Sequence, residues 1–451
     1  VECINMNFSK DRFAVIGLGD TGLSIIRYLQ YHRANIVAVY DTRESPPNQD
    51  KIGEIQLHLG SLKYADFSNV DIIVISPGVS IYDAALVQAL HNGKQVIGDI
   101  ELFARSIKGW SSKVIGITGS NGKTTVTTLT GHLAARYGLK TLVAGNIGTP
   151  VLDSYLDIMA NGEIPQIIVL ELSSFQLETV LSLDLTAATV LNIVADHLDR
   201  YRDLLEYAYA KSNIFNNCLI QVLNRDDILV GSMLRGNRLG LWFGSDESNQ
   251  FTLKNGCLWI DDAKYLACDE LKLVGRHNYF NVLSSLALLK ACDVDINNEV
   301  LKDGLRNFNG LEHRMQQLLV HNGVRYIEDS KGTNVGAVIA GVSGLDGMVH
   351  LILGGDGKNQ DFTPLRQLVA TKCKTVAIIG QDKLTIAKIL EGLPILMEVF
   401  NTLPEAVAYC IKNAQSGESV VLSPACASWD MFDNYKHRAQ VFIESIYENI
   451  H

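Results

Sequence analysis

The sequence predicts an α/β chain of about three domains built on parallel sheets, and three observations lead there. The 451 residues are the length of three ordinary domains, taking about 150 residues for each. Short β-branched runs alternate with amphipathic helical stretches three times over, and strands that are apolar throughout belong to sheets covered by helices on both faces. Two glycine-rich turns, each following such a strand and opening a helix, sit where α/β folds bind phosphates.

In the first block, strands are expected at residues 13–16, 36–40, 72–75 and 96–97. The second holds 114–118, 141–144, 167–170, 188–193 and 219–223, and the third 324–328, 349–353, 375–379 and 419–422. Polar stretches around 108–112 and 309–312 mark the expected boundaries, giving domains of residues 1–108, 109–310 and 311–451. Residues 240–267 are polar, strand-like and irregular, and carry no assigned function. There is no fixed-period repeat and no low-complexity tract.

Composition narrows the class. Hydrophobic residues make up 47% and charged residues 20%, with 37 Gly and 9 Pro, which excludes disordered, collagen-like and coiled-coil chains. No apolar run approaches the ~20 residues that span a bilayer. Residues 1–10 lack a signal-peptide pattern. Whether residues 1–5 are native is open, since Met6 offers a start. The expectation is a cytoplasmic protein. Its eight cysteines, Cys3, Cys218, Cys257, Cys268, Cys292, Cys373, Cys410 and Cys426, are scattered without a CxxC, so they read as reduced thiols rather than a zinc site. A net charge of −10 argues against nucleic acid as a partner. Anionic substrates would then need local cations and backbone N–H groups set against the average field.

The strongest local signal is Gly116-Ile117-Thr118-Gly119-Ser120-Asn121-Gly122-Lys123-Thr124-Thr125. Its glycines let the backbone turn N–H groups inward, toward a helix N-terminus with its positive dipole end. Lys123 would reach the β- and γ-phosphates, and the Thr124 hydroxyl a Mg²⁺. Val126, Leu129 and Leu133 share one face of the following helix, and Gly138 is placed to end it. The spacing differs from GxxxxGK[ST], because Thr118 stands four before Gly122. A glycine-rich turn that binds nothing is the plain alternative; strand, loop, Lys-Thr and helix in order favour a nucleotide. Glu171 ends the strand 167–170, the place of a magnesium carboxylate in P-loop proteins; position alone equally allows a solvent-facing acid.

Gly17-Leu18-Gly19-Asp20-Thr21-Gly22 is a second glycine motif, with Leu23, Ile26 and Leu29 on one face of its helix and Asp41 closing the next strand. This is a dinucleotide fingerprint with an acid for a ribose hydroxyl. It selects a diphosphate joined to a ribose, so NAD and a nucleotide-sugar diphosphate both qualify. A chain with both loops needs a reaction that uses both, and hydride transfer consumes no ATP.

Further motifs complete a pattern. They are Gly145-Asn146-Ile147-Gly148, Glu171-Leu172-Ser173-Ser174-Phe175-Gln176-Leu177-Glu178, Asp196-His197-Leu198-Asp199-Arg200-Tyr201, His277-Asn278-Tyr279, Glu312-His313-Arg314 and Asp329-Ser330-Lys331. Together with the phosphate loop they resemble the Mur ligases of bacterial cell-wall synthesis, in family order from Gly17 to Tyr435. Gly354-Gly355-Asp356-Gly357-Lys358 and Ser423-Pro424-Ala425-Cys426-Ala427-Ser428 resemble the branch that adds D-glutamate.

The resemblance implies a Rossmann-like N-terminal domain for a uridine nucleotide, a central P-loop ATPase-like parallel sheet, and a C-terminal Rossmann-like domain for the amino acid. It implies that ATP phosphorylates the carboxylate of UDP-N-acetylmuramoyl-L-alanine and that the D-glutamate amine attacks the acyl phosphate, through a tetrahedral intermediate. The setting would be cytoplasmic peptidoglycan precursor synthesis, on which cell shape and division depend. The implied partners are small molecules, without nucleic acid or membrane, on a monomer.

The roles implied by the resemblance follow residue by residue. Lys123, His197, Lys211 and Lys358 form the catalytic set. ATP is held by Gly119, Ser120, Asn121, Gly122, Lys123, Thr124 and Thr125, with Asn278 and Asn281 on the adenine side. Arg314 serves the phosphates, Asp329 the ribose, and Lys331 is a further ATP-side cation. Mg²⁺ falls to Thr124, Glu171, His197 and Lys211, the last as a carbamate made with carbon dioxide, since an ammonium repels Mg²⁺ and a carbamate offers it an anionic oxygen. Gly19, Asp20, Thr21, Asp41, Thr42, Arg43, Ser76, Gly78, Asn146 and His197 follow the uridine-muramoyl path. Thr333, Lys358, Ser428, Trp429 and Tyr435 take D-glutamate. Asp20 stands where the familiar enzyme is apolar, Trp429 where Leu is usual and Tyr435 where Phe is usual. The competing readings are a related ligase or folylpolyglutamate synthase with another amino acid, an NAD-dependent oxidoreductase, and a nucleotide-gated switch without acyl-phosphate chemistry.

Overall fold

The computed structural model describes residues 7–273 and 275–450. The expectations on residues 1–5 and on Cys3 lie outside the described residues. Three sheets succeed one another along the chain.

The first sheet is wholly parallel, in the order Leu57–Leu59, Asn35–Asp41, Arg12–Ile16, Ile72–Ile75 and Gln95–Gly98. Its glycine turn is sterically required. A Cβ on Gly22 would lie 1.8 Å from the carbonyl oxygen of Gly17, so only glycine lets the helix Asp20–Tyr31 start this close to the preceding strand. That helix buries Leu23, Ile26 and Leu29, as its spacing predicts.

The second sheet has nine strands. Lys113–Thr118 lies between Leu185–Val190 and Ile167–Glu171, with Thr141–Gly145 at one edge. On the other side come Cys218–Asn224, Leu239–Gly244 and Phe251–Lys254, all parallel, then the antiparallel strands Cys257–Ile260 and Ala263–Ala267. The irregular stretch 240–267 is therefore the far end of this sheet. The strand expected at 188–193 runs instead from 185 to 190. Residues beyond it leave the ladder because the Asn192 carbonyl accepts the N–H of Ser120 and the N–H of Ile193 goes to Asp227.

The third sheet has the order Gln316–His321, Val324–Glu328, Ser419–Leu422, Val349–Gly354, Cys373–Ile379 and Leu396–Val399, parallel except at its first pair. Among the described residues the cysteines are free.

The core is not divided equally. One apolar cluster runs through the first two sheets, joining Phe13, Tyr28 and Phe103 to Tyr155, Leu170 and Phe215. The clusters around the third sheet contain only residues from 315 onward. The first two sheets are thus packed as one body, while the third is attached through its contacts at a cleft. Glu101 adds a polar clasp to the first junction. It is fully buried and accepts the N–H groups of Leu181 and Ser182, the Ser182 hydroxyl and the Arg105 guanidinium, each at 2.8 Å.

Glu101→Ala leaves those donors unpaired, and the expected loss is about 3 kcal/mol, read as a lower midpoint in urea unfolding of the full chain. A loss below about 0.5 kcal/mol, the scale of an ordinary surface substitution, would contradict the clasp.

Candidate active site

The central strand Lys113–Thr118 delivers the phosphate loop to the carboxyl edge of its sheet, where open α/β sheets bind ligands. The loop is already held in shape. Asn192 clamps Asn121 by accepting its N–H at 2.8 Å and donating to its carbonyl at 3.0 Å. The Ser120 hydroxyl donates to the Val194 carbonyl at 2.9 Å and accepts the Val194 N–H at 3.0 Å. Gly122 (φ +84°) caps the helix Lys123–Arg136, and a Cβ there would lie 2.6 Å from the Asn281 side-chain oxygen. Lys123 folds back onto the carbonyls of Gly119 and Ser120 at 2.8 and 2.9 Å.

Beside the loop, Glu171 is buried at its strand end, so the solvent-facing reading falls. Asn146 donates to its Oε1 at 3.1 Å, and its Oε2 is buried without a hydrogen-bond partner. Lys211, on the helix Leu204–Ser212, is 1% exposed. Its amine reaches the Thr118 hydroxyl at 3.3 Å and lies over the Tyr207 ring at 4.6 Å. Burial, then the nearby charge of Lys123, pushes this amine well below the usual lysine range, against the pull of Asp196 and Glu171. His197 (φ +55°) lies against Phe175, ring centres 4.9 Å apart. Burial lowers its pKa, and Lys358 and Lys211 add to that despite Asp196, so the imidazole is neutral at pH 7.

Between the central and third sheets opens a cleft of about 270 Å³. Asn121, Gly122, Thr125, Asn278 and Asn281 line one wall; Arg314, Asp329 and Lys331 line the other. Arg314 crosses it, donating to the Thr124 hydroxyl at 2.8 Å. Asp329 accepts the Ser423 hydroxyl at 2.6 Å and the Met315 N–H at 3.2 Å; burial pushes its carboxyl up to about 7 despite those bonds. Burial lowers Lys331 to about 8, and its amine sits 4.0 Å from the centre of the Tyr435 ring.

The uridine-side residues divide. Gly19, Asp20, Thr21, Asp41, Thr42, Arg43, Ser76 and Gly78 sit along the carboxyl edge of the first sheet, whereas Asn146 and His197 belong to the central one. Asp41 is already engaged, accepting from the Leu18 N–H at 2.6 Å and from Arg43 through its backbone N–H and guanidinium. Burial raises its pKa, but the Arg43 and Leu18 contacts outweigh that and hold it at about 2. Ser76 donates to the Gly17 carbonyl at 2.9 Å. The link between the two groups is Arg200, whose role the sequence does not announce. It donates to the carbonyls of Pro77 and Val79 at 3.1 and 3.2 Å, pairs with Glu178 at 2.5 Å, and covers the Phe175 ring. The His197 loop is thereby tied to the edge of the glycine cradle.

For the amino-acid set, Lys358 (φ +50°) acts electrostatically on His197 across the domains. Ser428 is buried, and backbone pairing of Asp356 with Ala427 joins its loop to that of Lys358. Thr333 lies two residues after Lys331, with Gly332 between them. Trp429, by contrast, is 72% exposed. Among the described residues no three His, Cys, Asp or Glu side chains gather into a metal cage. The residues still suit a magnesium ion of few protein ligands, through the Thr124 hydroxyl, the unpaired Glu171 oxygen and the neutral His197.

Comparison with known proteins finds relatives along nearly the whole chain. Family models described as Mur ligase MurD-like N-terminal domain, Mur ligase middle domain, and Mur ligase glutamate ligase domain match residues 11–98, 117–289 and 313–426. UDP-N-acetylmuramoylalanine–D-glutamate ligase of Chromobacterium violaceum is 44% identical over 451 residues, 98% of each chain. The enzyme of that name from Methylobacillus flagellatus is 45% identical over 443 residues, 96% of each. The crystal structure of MurF ligase from Thermotoga maritima in complex with ADP shares the fold at a TM-score of 0.60, with 16% identity, covering 98% of this chain and 96% of that one.

The Asp329 carboxyl gives a pH test. Its folded pKa of about 7 lies above the ordinary 3.8, so the folded state binds its proton more tightly. Its contribution to stability is complete below the unfolded pKa and is lost as pH rises through the folded one. Urea unfolding of the ligand-free chain should therefore show stability falling between about pH 4 and pH 7 more steeply than in Asp329→Asn; parallel curves would contradict the raised pKa.

Proposed function

The chain belongs to the Mur ligase family, and from this premise we propose that it joins D-glutamate to UDP-N-acetylmuramoyl-L-alanine, releasing ADP and phosphate. The observation that carries the proposal is the convergence of the phosphate loop with Arg314 and Lys331 on one cleft, with the neighbouring His197 loop tied through Arg200 to the first glycine cradle. The two relatives named for this reaction, alike along nearly their whole length, supply the substrate identities. The working division is residues 1–108 for the uridine nucleotide, 109–310 for ATP and 311–451 for the amino acid. Among the described residues no helix is long and apolar enough to cross a membrane, and we place the enzyme in the cytoplasm as a monomer.

The chemistry follows from the charges. A carboxylate is a poor acyl donor, so it must first gain a leaving group. One of its oxygens attacks the γ-phosphorus, the bond to the bridging oxygen of ADP breaks, and negative charge spreads over the transferring phosphoryl group. Lys123, Arg314 and Lys331 offset that charge. The D-glutamate amine then attacks the acyl carbon and gives up a proton; the tetrahedral centre collapses, expelling phosphate and leaving the amide. Lys358, with Thr333, Ser428 and Tyr435, would orient the dicarboxylate, and Trp429 would form its outer rim. Asn278 and Asn281 would meet the adenine, and Asp329 the ribose. On the uridine side Arg43 and the amides near Gly19 are the direct contacts, with Asp41 holding both in place.

Magnesium, when bound, screens the phosphate charge; Thr124, Glu171, His197 and Lys211 would hold it. For Lys211 this requires carbamylation, in which the neutral amine adds to carbon dioxide and loses one proton. Burial supports that reading, because it favours the neutral, nucleophilic form of the amine.

Two outcomes test the proposal. ADP release in the presence of UDP-N-acetylmuramoyl-L-alanine should depend on D-glutamate; a strong preference for L-alanine, L-glutamate or a diamino acid would sink the assignment. Lys211→Ala should lower kcat at least about tenfold, the scale of a lost metal-site contact, with partial rescue by short-chain carboxylic acids. Undiminished activity, unaffected by added acid, would remove the carbamate.

A further inference from the structure

Resting on the ligase reading above, we propose that Asn334 and Gln360 are positioning residues in a relay of neutral side-chain amides that couples the phosphate loop to the amino-acid side of the cleft.

The relay begins at Asn192, which clamps the backbone of Asn121 on both sides. With its backbone fixed, Asn121 turns its side chain across the cleft to Asn334. The two amides pair reciprocally: Asn121 Nδ2 donates to Asn334 Oδ1 at 3.2 Å, and Asn334 Nδ2 donates to Asn121 Oδ1 at 3.1 Å. Asn334 is itself 4% exposed and also caps the helix Val335–Ser343, accepting the Ala337 N–H at 2.8 Å. The next N–H, of Val335, goes to Gln360 Oε1 at 2.9 Å. Gln360 Nε2 then donates to the carbonyl of Ala425 at 2.6 Å and to that of Gly357 at 3.1 Å. Those carbonyls belong to the loops carrying Ser428 and Lys358, and Thr333 immediately precedes Asn334. Four amides thus connect the triphosphate loop to every loop assigned to the amino acid.

Charge distinguishes this link from the polar contact between Arg314 and Thr124, of which a triphosphate and its cation would claim both partners. The amides carry no net charge, do not titrate and offer an entering polyanion nothing to displace. Their bridge survives nucleotide binding, and it sets the register at which the acyl phosphate faces the incoming amine.

Asn334→Ser tests this, because the shorter hydroxyl keeps the helix cap but cannot reach Asn121. In the full-length enzyme the KM for D-glutamate should rise about tenfold, the scale of one or two neutral hydrogen bonds, while the KM for ATP stays within about twofold. Gln360→Glu, which keeps the acceptor and loses the donor, should move the same constant. In an Asn121→Ala background, Asn334→Ser should add less than about twofold. An unchanged D-glutamate KM, or fully additive effects, overturns the relay. If the wild-type chain releases no ADP in response to D-glutamate, the ligase reading itself fails. The relay is then judged by amide hydrogen exchange with a non-hydrolysable ATP analogue. Protection of Val335–Ser343 gained in the wild type but not in Asn334→Ser supports it, and equal protection in both overturns it.

Discussion

Positive charge crowded around the buried carboxylate of Glu171 is the constraint on which the rest of this structure depends. Lys123, Arg314 and Lys331 each lie within electrostatic reach of Glu171, and burial works against the charged form of every one. In a chain of net charge −10 such a cluster is not a by-product of composition. Enclosed cations short of counter-charge are costly, and a polyanion entering the cleft removes that cost. Nucleotide affinity and the electrostatics of phosphoryl transfer therefore have one source.

The three sheets place these charges. The first two share an apolar core, so the glycine cradle and the phosphate loop keep a fixed relation, with Arg200 fastening the His197 loop to the cradle edge. The third sheet keeps its own cores and meets the others through polar contacts at the cleft. Part of that meeting is charged, at Arg314, and part is neutral, at Asn334. A site that must admit two large anions and then bring an amine to one of them has use for both kinds.

Much of this was legible in the sequence, for identifiable reasons. The apolar parallel strands announced themselves because burial on both faces leaves no polar alternation to confuse. Leu57–Leu59, Gln316–His321 and Leu396–Val399 went unseen: each is an edge strand, short or half exposed, and shaped by its neighbour more than by its own residues. The phosphate loop and Glu171 were readable from spacing because a strand, a turn and a helix fix local geometry. Asp41 was found, but not its commitment to Arg43 and Leu18, which spacing does not specify. Arg200, Asn334 and Gln360 carried no signal of their roles. Asn121 and Asn334 are 213 residues apart, and a neutral amide in a loop looks alike whether it caps a helix or joins two domains.

The most direct test follows the oxygen atoms. UDP-N-acetylmuramoyl-L-alanine labelled with heavy oxygen in its terminal carboxylate should, during a single turnover with ATP and D-glutamate, transfer one labelled atom to the released phosphate. Phosphate that instead takes its new oxygen from bulk water, with the carboxylate label fully retained, would show that the triphosphate in this cleft never activates the carboxyl group.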